Sequence, residues 1–204
     1  MCSSDLMRLR DENTFLIVWT TMPFTLVTDE LIGVNPKADY AYISLKNERW
    51  IVGIDRLNYL MNELHIENFT VEKVVKGVEL DGKKYIHPLL GFIPGLKELS
   101  DEDKIHFVVA EKFVDASTGS GLVHLSPANG QEDFDIAVKR DVPIFVPIND
   151  RVEFTEKAGI FNGQFVRNSD ILVVEKMKEA GAYLKLGRIK HQYPTCWRSN
   201  HKVV

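Results

Sequence analysis

Cysteine is scarce in this chain: Cys2 and Cys196 are the only two, and they stand near its opposite ends. So distant a pair builds no disulfide framework, and the usage fits a reducing compartment. Long apolar runs are lacking too, none approaching the roughly 18 residues that a membrane-spanning helix needs. The N-terminal stretch MCSSDLMRLRDENT is too charged for a secretory signal. Positive charge is not in excess, since 25 Lys and Arg face 29 Asp and Glu for a formal net charge of −4. That balance excludes a general polyanion binder and confines any nucleic-acid contact to a local patch. Internal repeats and low-complexity segments are also missing. These absences together predict a soluble intracellular domain, located in the cytoplasm, with no membrane partner.

What is present is ordinary globular material. At 204 residues, 45% hydrophobic and 26% charged, the chain suffices for one domain with a sizeable core. Residues 1–13 are polar and predict a flexible end. The run Phe15 to Trp19 is continuous, apolar and β-rich, as in a strand buried on both faces. Leu31 to Val34, Tyr40 to Leu45 and Trp50 to Ile54 predict further strands. From Asp55 to His65, Leu57, Leu60, Met61 and Leu64 recur at helical spacing and form a core-facing stripe. Phe69 to Val75 alternates as a strand, and Asp81-Gly82 is the strongest hairpin signal, leading into Tyr85-Ile86. Gly91 to Gly95 predicts a loop, and Ile105 to Ala110 a strand. A short helix follows over Glu132 to Arg140, with Phe134, Ala137 and Val138 inward. Pro143 to Ile148 reads as an extended edge. Ser169 caps a helix to Ala180, stopped by Gly181, and Tyr183 to Ile189 is a last strand. About eight strands with three short helices predict an α+β domain on a curved or closed, barrel-like mixed sheet.

Chemistry-bearing residues concentrate in Ser117 to Phe134, STGSGLVHLSPANGQEDF. Gly119 and Gly121 permit a positive φ or a close approach of the backbone to a ligand. Leu122 to Leu125 reads as a short strand carrying His124, and Pro127 ends it. Asn129 or Gly130 can begin a helix whose first turn holds Glu132 and Asp133. An imidazole and a carboxylate thus come together at a strand end and a helix start. A lone strand histidine also serves as a core residue, and first-turn acids also serve as partners of the helix dipole, so composition leaves both roles open.

This stretch resembles the GTGxVHxAPxxGxxDF signature of the editing domain inserted in isoleucyl-tRNA synthetases. It matches at Gly119, Gly121, Val123, His124, Pro127, Gly130, Asp133 and Phe134, and departs at Ser120 and Ser126. Trp19 to Thr25, WTTMPFT, resembles the WTTTPWT of the same domains, with Met22 replacing a threonine and Phe24 a tryptophan. Asp29 stands where that family usually has asparagine. Leucyl-type or valyl-type editing domains are expected to read TTRP here, and no arginine follows Thr21. The tail, Tyr193 to Arg198, resembles the YPHCWR segment of the return to the catalytic core, so residues 190–204 are expected to begin that return strand. Cys196 with His191 and His201 lacks the paired spacings of a four-ligand zinc site, and no metal is expected.

The resemblance covers nearly the whole chain and implies a single editing domain, residues 1–204, excised from a class I synthetase and monomeric. ATP and Mg would serve only the missing synthetic core, and editing itself would need no cofactor. The implied reaction is hydrolysis of valine from the 3′ end of mischarged tRNA(Ile), with isoleucine excluded by size; the rest of the synthetase chain is the other implied partner. Thr20, Thr21, His124 and Asp133 carry the implied catalytic roles. Asp133 would pair with the α-ammonium, His124 would gate the side-chain pocket, and the threonines would hold the ribose, the carbonyl or the attacking water. Thr25, Asp29, Gly119, Gly121, Leu122, Val123 and Phe134 would contact the substrate. The alternatives are a catalytically silent tRNA-docking insertion and a valyl-type editing domain.

Overall fold

The computed structural model describes residues 2–10, 12–46, 48–187, 195, 197 and 198. Among them are ten β-strands and four α-helices. β1 (Cys2–Leu9) runs antiparallel to β2 (Thr14–Thr20), in register from Ser3 against Thr20 to Arg8 against Phe15. The flexible end expected at residues 1–13 is therefore a strand over Cys2–Leu9. Its polar residues conceal this in the sequence: Ser3 and Asp5 are buried and joined by a 2.7 Å hydrogen bond from Ser3 Oγ, beside the buried Met7 and Leu9.

The other edge of β2 is shared by two strands. Thr14 to Leu16 pair in parallel with β5 (Glu48–Gly53), whereas Trp19 pairs in parallel with Val123 of β9 (Val123–Leu125). One strand cannot hold two neighbours on one edge in a flat sheet, so the sheet opens and curls. Beyond β5 lie β4 (Asp39–Leu45) and the exposed edge strand β6 (Thr70–Lys76). Beyond β9 lie β3 (Leu31–Val34) and β8 (Phe107–Ala110). β7 (Tyr85–Ile86) pairs with β1, and backbone bonds from Tyr85 N to His106 O and from Val108 N to Lys83 O tie it to the β8 side. A ring β1-β2-β9-β3-β8-β7 results, with β10 (Tyr183–Gly187) attached to β1. Leu16, Ile17 and Val18 of β2 are at most 1% exposed, as expected of a strand covered on both faces.

The helices cap this curl. α1 (Ile54–Glu63) buries Leu57, Leu60 and Met61, as its spacing predicts. α2 (Pro94–Asp101) begins inside the expected Gly91–Gly95 loop and runs on through residues given no element; Pro94 sits in its first turn, where a missing N–H costs no helical bond. α3 (Gln131–Lys139) buries Ile136 and Ala137, while Phe134 and Val138 are 41% and 62% exposed, against expectation. The inward-turned carboxylate of Asp133 sets the helix phase, and the residues three and four positions on share its face. α4 (Asp170–Glu179) ends before Gly181, which adopts φ +68°.

Two further expectations change. Gly82 has the positive φ of a tight turn, but its N–H bonds to Val108 O and β7 pairs with β1, so β6 and β7 form no hairpin. Pro143 to Ile148 forms no strand; a carboxylate replaces a ladder partner where Phe145 N–H donates to Glu30 Oε1 at 2.7 Å. The return strand expected at 190–204 falls almost wholly outside the described residues. Among them, no helix is long and apolar enough to cross a membrane.

β1 is bonded to β2, β7 and β10, so a chain lacking residues 1–9 should lose the sheet's closure. Circular dichroism melting is expected to show loss of the cooperative transition; an unchanged melting curve would contradict the ring.

Candidate functional site

The two glycine- and hydroxyl-bearing stretches, a hundred residues apart, meet where Trp19 pairs with Val123. Gly119 makes the approach possible. It sits at φ +54°, and a Cβ there would stand 2.8 Å from the Trp19 ring. Gly121, at φ +83°, packs on Gly53, where a Cβ would lie 2.9 Å from the Gly53 Cα. Both glycines are therefore devices for packing backbone against backbone and indole.

β2 ends at Thr20, and the chain turns through Met22 into a 3-10 helix, Pro23–Thr28. Asp170 Oδ1 at the start of α4 accepts the Phe24 N–H at 2.9 Å, satisfying one of the orphan donors at a helix start. The turn brings the hydroxyls of Thr20 and Thr25 to 2.9 and 3.1 Å from Nε2 of His124 on β9. Thr25 Oγ donates to Met22 O at 2.7 Å, and Thr20 Oγ accepts the Met22 N–H at 3.1 Å.

After β9 the chain crosses Ser126 to Gly130 and enters α3. Asp133 in the first turn of that helix accepts Ser126 N–H at 2.8 Å. Gly130 leaves room for it: a Cβ there would lie 2.8 Å from Asp133 Oδ2. A polar lattice supports the turn, with Asn129 Nδ2 donating to Thr28 Oγ and to Ser126 Oγ, both at 2.7 Å. Asn129 Oδ1 is buried without a hydrogen-bond partner. Burial lifts the Asp133 carboxyl above its ordinary range, against the pull of the Ser126 amide and the His124 ring. The helix start, expected to favour the ionised form, is outweighed by that desolvation.

These groups line an open cavity of about 200 Å³. Trp19, Met22 and Val123 supply apolar wall, while Thr20, Thr21, Thr25, His124 and Asp133 supply polar groups. The structure thus brings six of the expected residues together: Thr20, Thr21, Thr25, Val123, His124 and Asp133. It sets five apart from the lining. Gly119 and Gly121 pack as described, Leu122 is 3% exposed in the core, and Phe134 faces outward. Asp29, fully buried, lies behind His124 with its Oδ1 3.4 Å from Nδ1, so it touches the ring and not the cavity.

No protein-family model matches the chain. Isoleucine–tRNA ligase of Methanocaldococcus jannaschii is 39% identical over 196 residues, covering 92% of this chain and 19% of that protein. The Methanococcus maripaludis isoleucine–tRNA ligase is 35% identical over 200 residues, again covering 19% of the relative. The chain is related to one segment of the isoleucine–tRNA ligases. It spans about a fifth of the length of these ligases. Among solved structures, GlLeuRS-CP1 superposes with a TM-score of 0.66 over 93% of this chain and 99% of that one, at 15% identity. The P. knowlesi cytosolic leucyl-tRNA synthetase editing domain gives 0.64 over 90% of this chain and 95% of that one, at 11% identity. The fold of this chain is that of those editing domains.

Sequence reasoning missed the cavity contributions of Trp19, Ser126, Asn129 and Gly130. Asn129 carried a signal, since it was read as a possible helix start, but its unpaired oxygen is a tertiary property. His191, Cys196 and His201, weighed and set aside as metal ligands, lie outside the described residues.

Below the site, acids are buried. Glu30 is fully buried and its carboxyl is pushed up to about 8, by desolvation first, with the Phe145 amide pulling down and Asp29 pushing up. Asp5 is pushed up to about 7 by its burial. A carboxyl whose folded value is raised is held protonated by the fold. Its stabilising contribution is complete below the unfolded value and is lost as pH rises through the folded one. Unfolding free energy is therefore expected to fall by on the order of a few kcal/mol between about pH 5.5 and 8.5, and Glu30→Gln to flatten much of the fall. Urea denaturation at both pH values checks this; an equal fall in the variant would contradict it.

Proposed function

We propose that this segment hydrolyses the ester of valyl-tRNA(Ile) and spares isoleucyl-tRNA(Ile), acting with the rest of a synthetase chain in the cytoplasm. The observation that carries the reading is the cavity at the Trp19–Val123 junction. A small apolar wall, hydroxyls and a carboxylate line one open cleft. An aminoacyl ester needs those three features: a side-chain pocket, donors at the carbonyl and ribose, and an anion for the α-ammonium.

Isoleucine–tRNA ligases are themselves the standing example of why such a site is needed. One methylene is worth only about 1–3 kcal/mol in an apolar pocket, so synthesis alone mischarges valine. A second, smaller site reverses the discrimination by admitting only the smaller product. Here His124, between Val123 and the threonines, forms the wall against which one extra methylene would clash.

Asp133 and Asn129 would together receive the α-ammonium. Asp133 Oδ2 is engaged by Ser126, which leaves its other oxygen for the ligand, and Asn129 offers an orphan Oδ1. An arriving cation would draw the Asp133 carboxyl back to its ionised form. The ester is intrinsically labile, so holding it against oriented donors while water attacks is the chemistry required of the protein.

Asp133→Ala is expected to lower kcat/KM for valyl-tRNA(Ile) by about 10–100-fold, the value of one charge-assisted hydrogen bond. Deacylation of valyl- and isoleucyl-tRNA(Ile) by both proteins tests this. Background-level loss of both esters with the unaltered chain would favour a docking insertion over an editing one.

A further inference from the structure

Hydrogen counting at His124 decides which way the site's hydroxyls point. A threonine hydroxyl has one hydrogen and two acceptor positions. Thr25 spends its hydrogen on Met22 O. Its 3.1 Å contact with His124 Nε2 therefore needs the hydrogen on the ring nitrogen. Nε2–H also reaches Thr20 Oγ, at 2.9 Å. Thr20 already accepts the Met22 N–H, so both of its acceptor positions are filled and only its own hydrogen is left.

The rear of the ring must agree with this. Nδ1 faces Asp29 Oδ1 at 3.4 Å, and neither atom has a hydrogen-bond partner elsewhere among the described residues. The other oxygen of Asp29 accepts the Tyr85 hydroxyl at 2.8 Å, and its backbone carbonyl lies 3.2 Å from His106 Nε2. His87 Nε2 stands 3.6 Å from Oδ2. Burial keeps both of those histidines neutral, lowering His106 to about 3 and His87 well below its ordinary value. Among the described residues, the His124 ring is therefore left as the partner of the fully buried Asp29 carboxyl. A lone buried carboxylate is costly. A net-neutral pair is not: with Nε2 already bearing hydrogen, one further proton lies between Nδ1 and Oδ1, riding on either atom.

We propose that Asp29, anchored by Tyr85, is a positioning residue that shares one proton with His124, keeps a hydrogen on Nε2, and thereby makes Thr20 a donor-only hydroxyl toward the cavity. On the proposed editing reading, Thr20 would give its hydrogen to the ester oxygen on which charge develops, and His124 would not act as a general base. Asparagine at position 29 would preserve the arrangement, its amide N–H donating to Nδ1 and its oxygen accepting from Tyr85.

Long-range proton–nitrogen NMR of the His124 ring tests the proton inventory without any appeal to catalysis. At neutral pH the unaltered chain is expected to show Nε2 bearing hydrogen and Nδ1 shifted by a shared proton. Asp29→Asn is expected to keep the hydrogen on Nε2, with Nδ1 moving to the position of a hydrogen-bond acceptor. A bare Nε2 with hydrogen fixed on Nδ1, in either protein, would overturn the proposal. The spectrum of the unaltered chain decides alone if the variant misfolds. Absence of ester hydrolysis would overturn the editing reading while leaving this result in place.

Discussion

One imidazole joins the two halves of the site. Nε2 of His124 is the meeting point of the Thr20 and Thr25 hydroxyls from the end of β2 and the following turn, while Nδ1 faces the buried carboxylate of Asp29. The ring sits on β9, which pairs with β2 at Trp19 and Val123. Cavity walls, hydroxyl directions and the placement of Asp133 all follow from that junction. Buried polar groups of this kind fix a geometry through the partners they hold, which is why the acids and histidines behind the ring matter as much as the residues that face the cavity.

The junction constrains the fold around it. β2 shares one edge between β5 and β9, and such a strand forces the sheet to curl. A Cβ at Gly119 would invade the Trp19 ring, and one at Gly121 the Gly53 backbone. Those glycines belong to the site through the backbone they bring together. Their positive φ angles carry an entropic cost, offset by the close packing that they permit.

Much of this was legible in the sequence because it is local. The apolar run of β2, the stripe on α1, the strand–turn–helix around His124 and the Gly181 stop all follow from periodicity and turn chemistry, and the two motifs carried the family resemblance. What was illegible is tertiary. β1 hides behind Ser3, Ser4 and Asp5, polar residues that only a formed barrel buries. The turn at Gly82 is real, but its strands pair elsewhere. Asp29 closely follows the WTTMPFT motif, yet its place behind the ring, not in the cavity, depends on Tyr85 from a strand more than fifty residues away. Asn129 belongs to the cavity by virtue of hydrogen bonds to Thr28, a hundred residues upstream.

The most direct test of the account is binding of a non-hydrolysable valyl-adenosine amide and of its N-acetylated form, followed by calorimetry and by NMR shifts at Thr20, Val123, His124 and Asp133. The free-amine compound is expected to bind and perturb these residues, and acetylation to abolish both effects. Equal binding of the two compounds would contradict an ammonium-reading cavity.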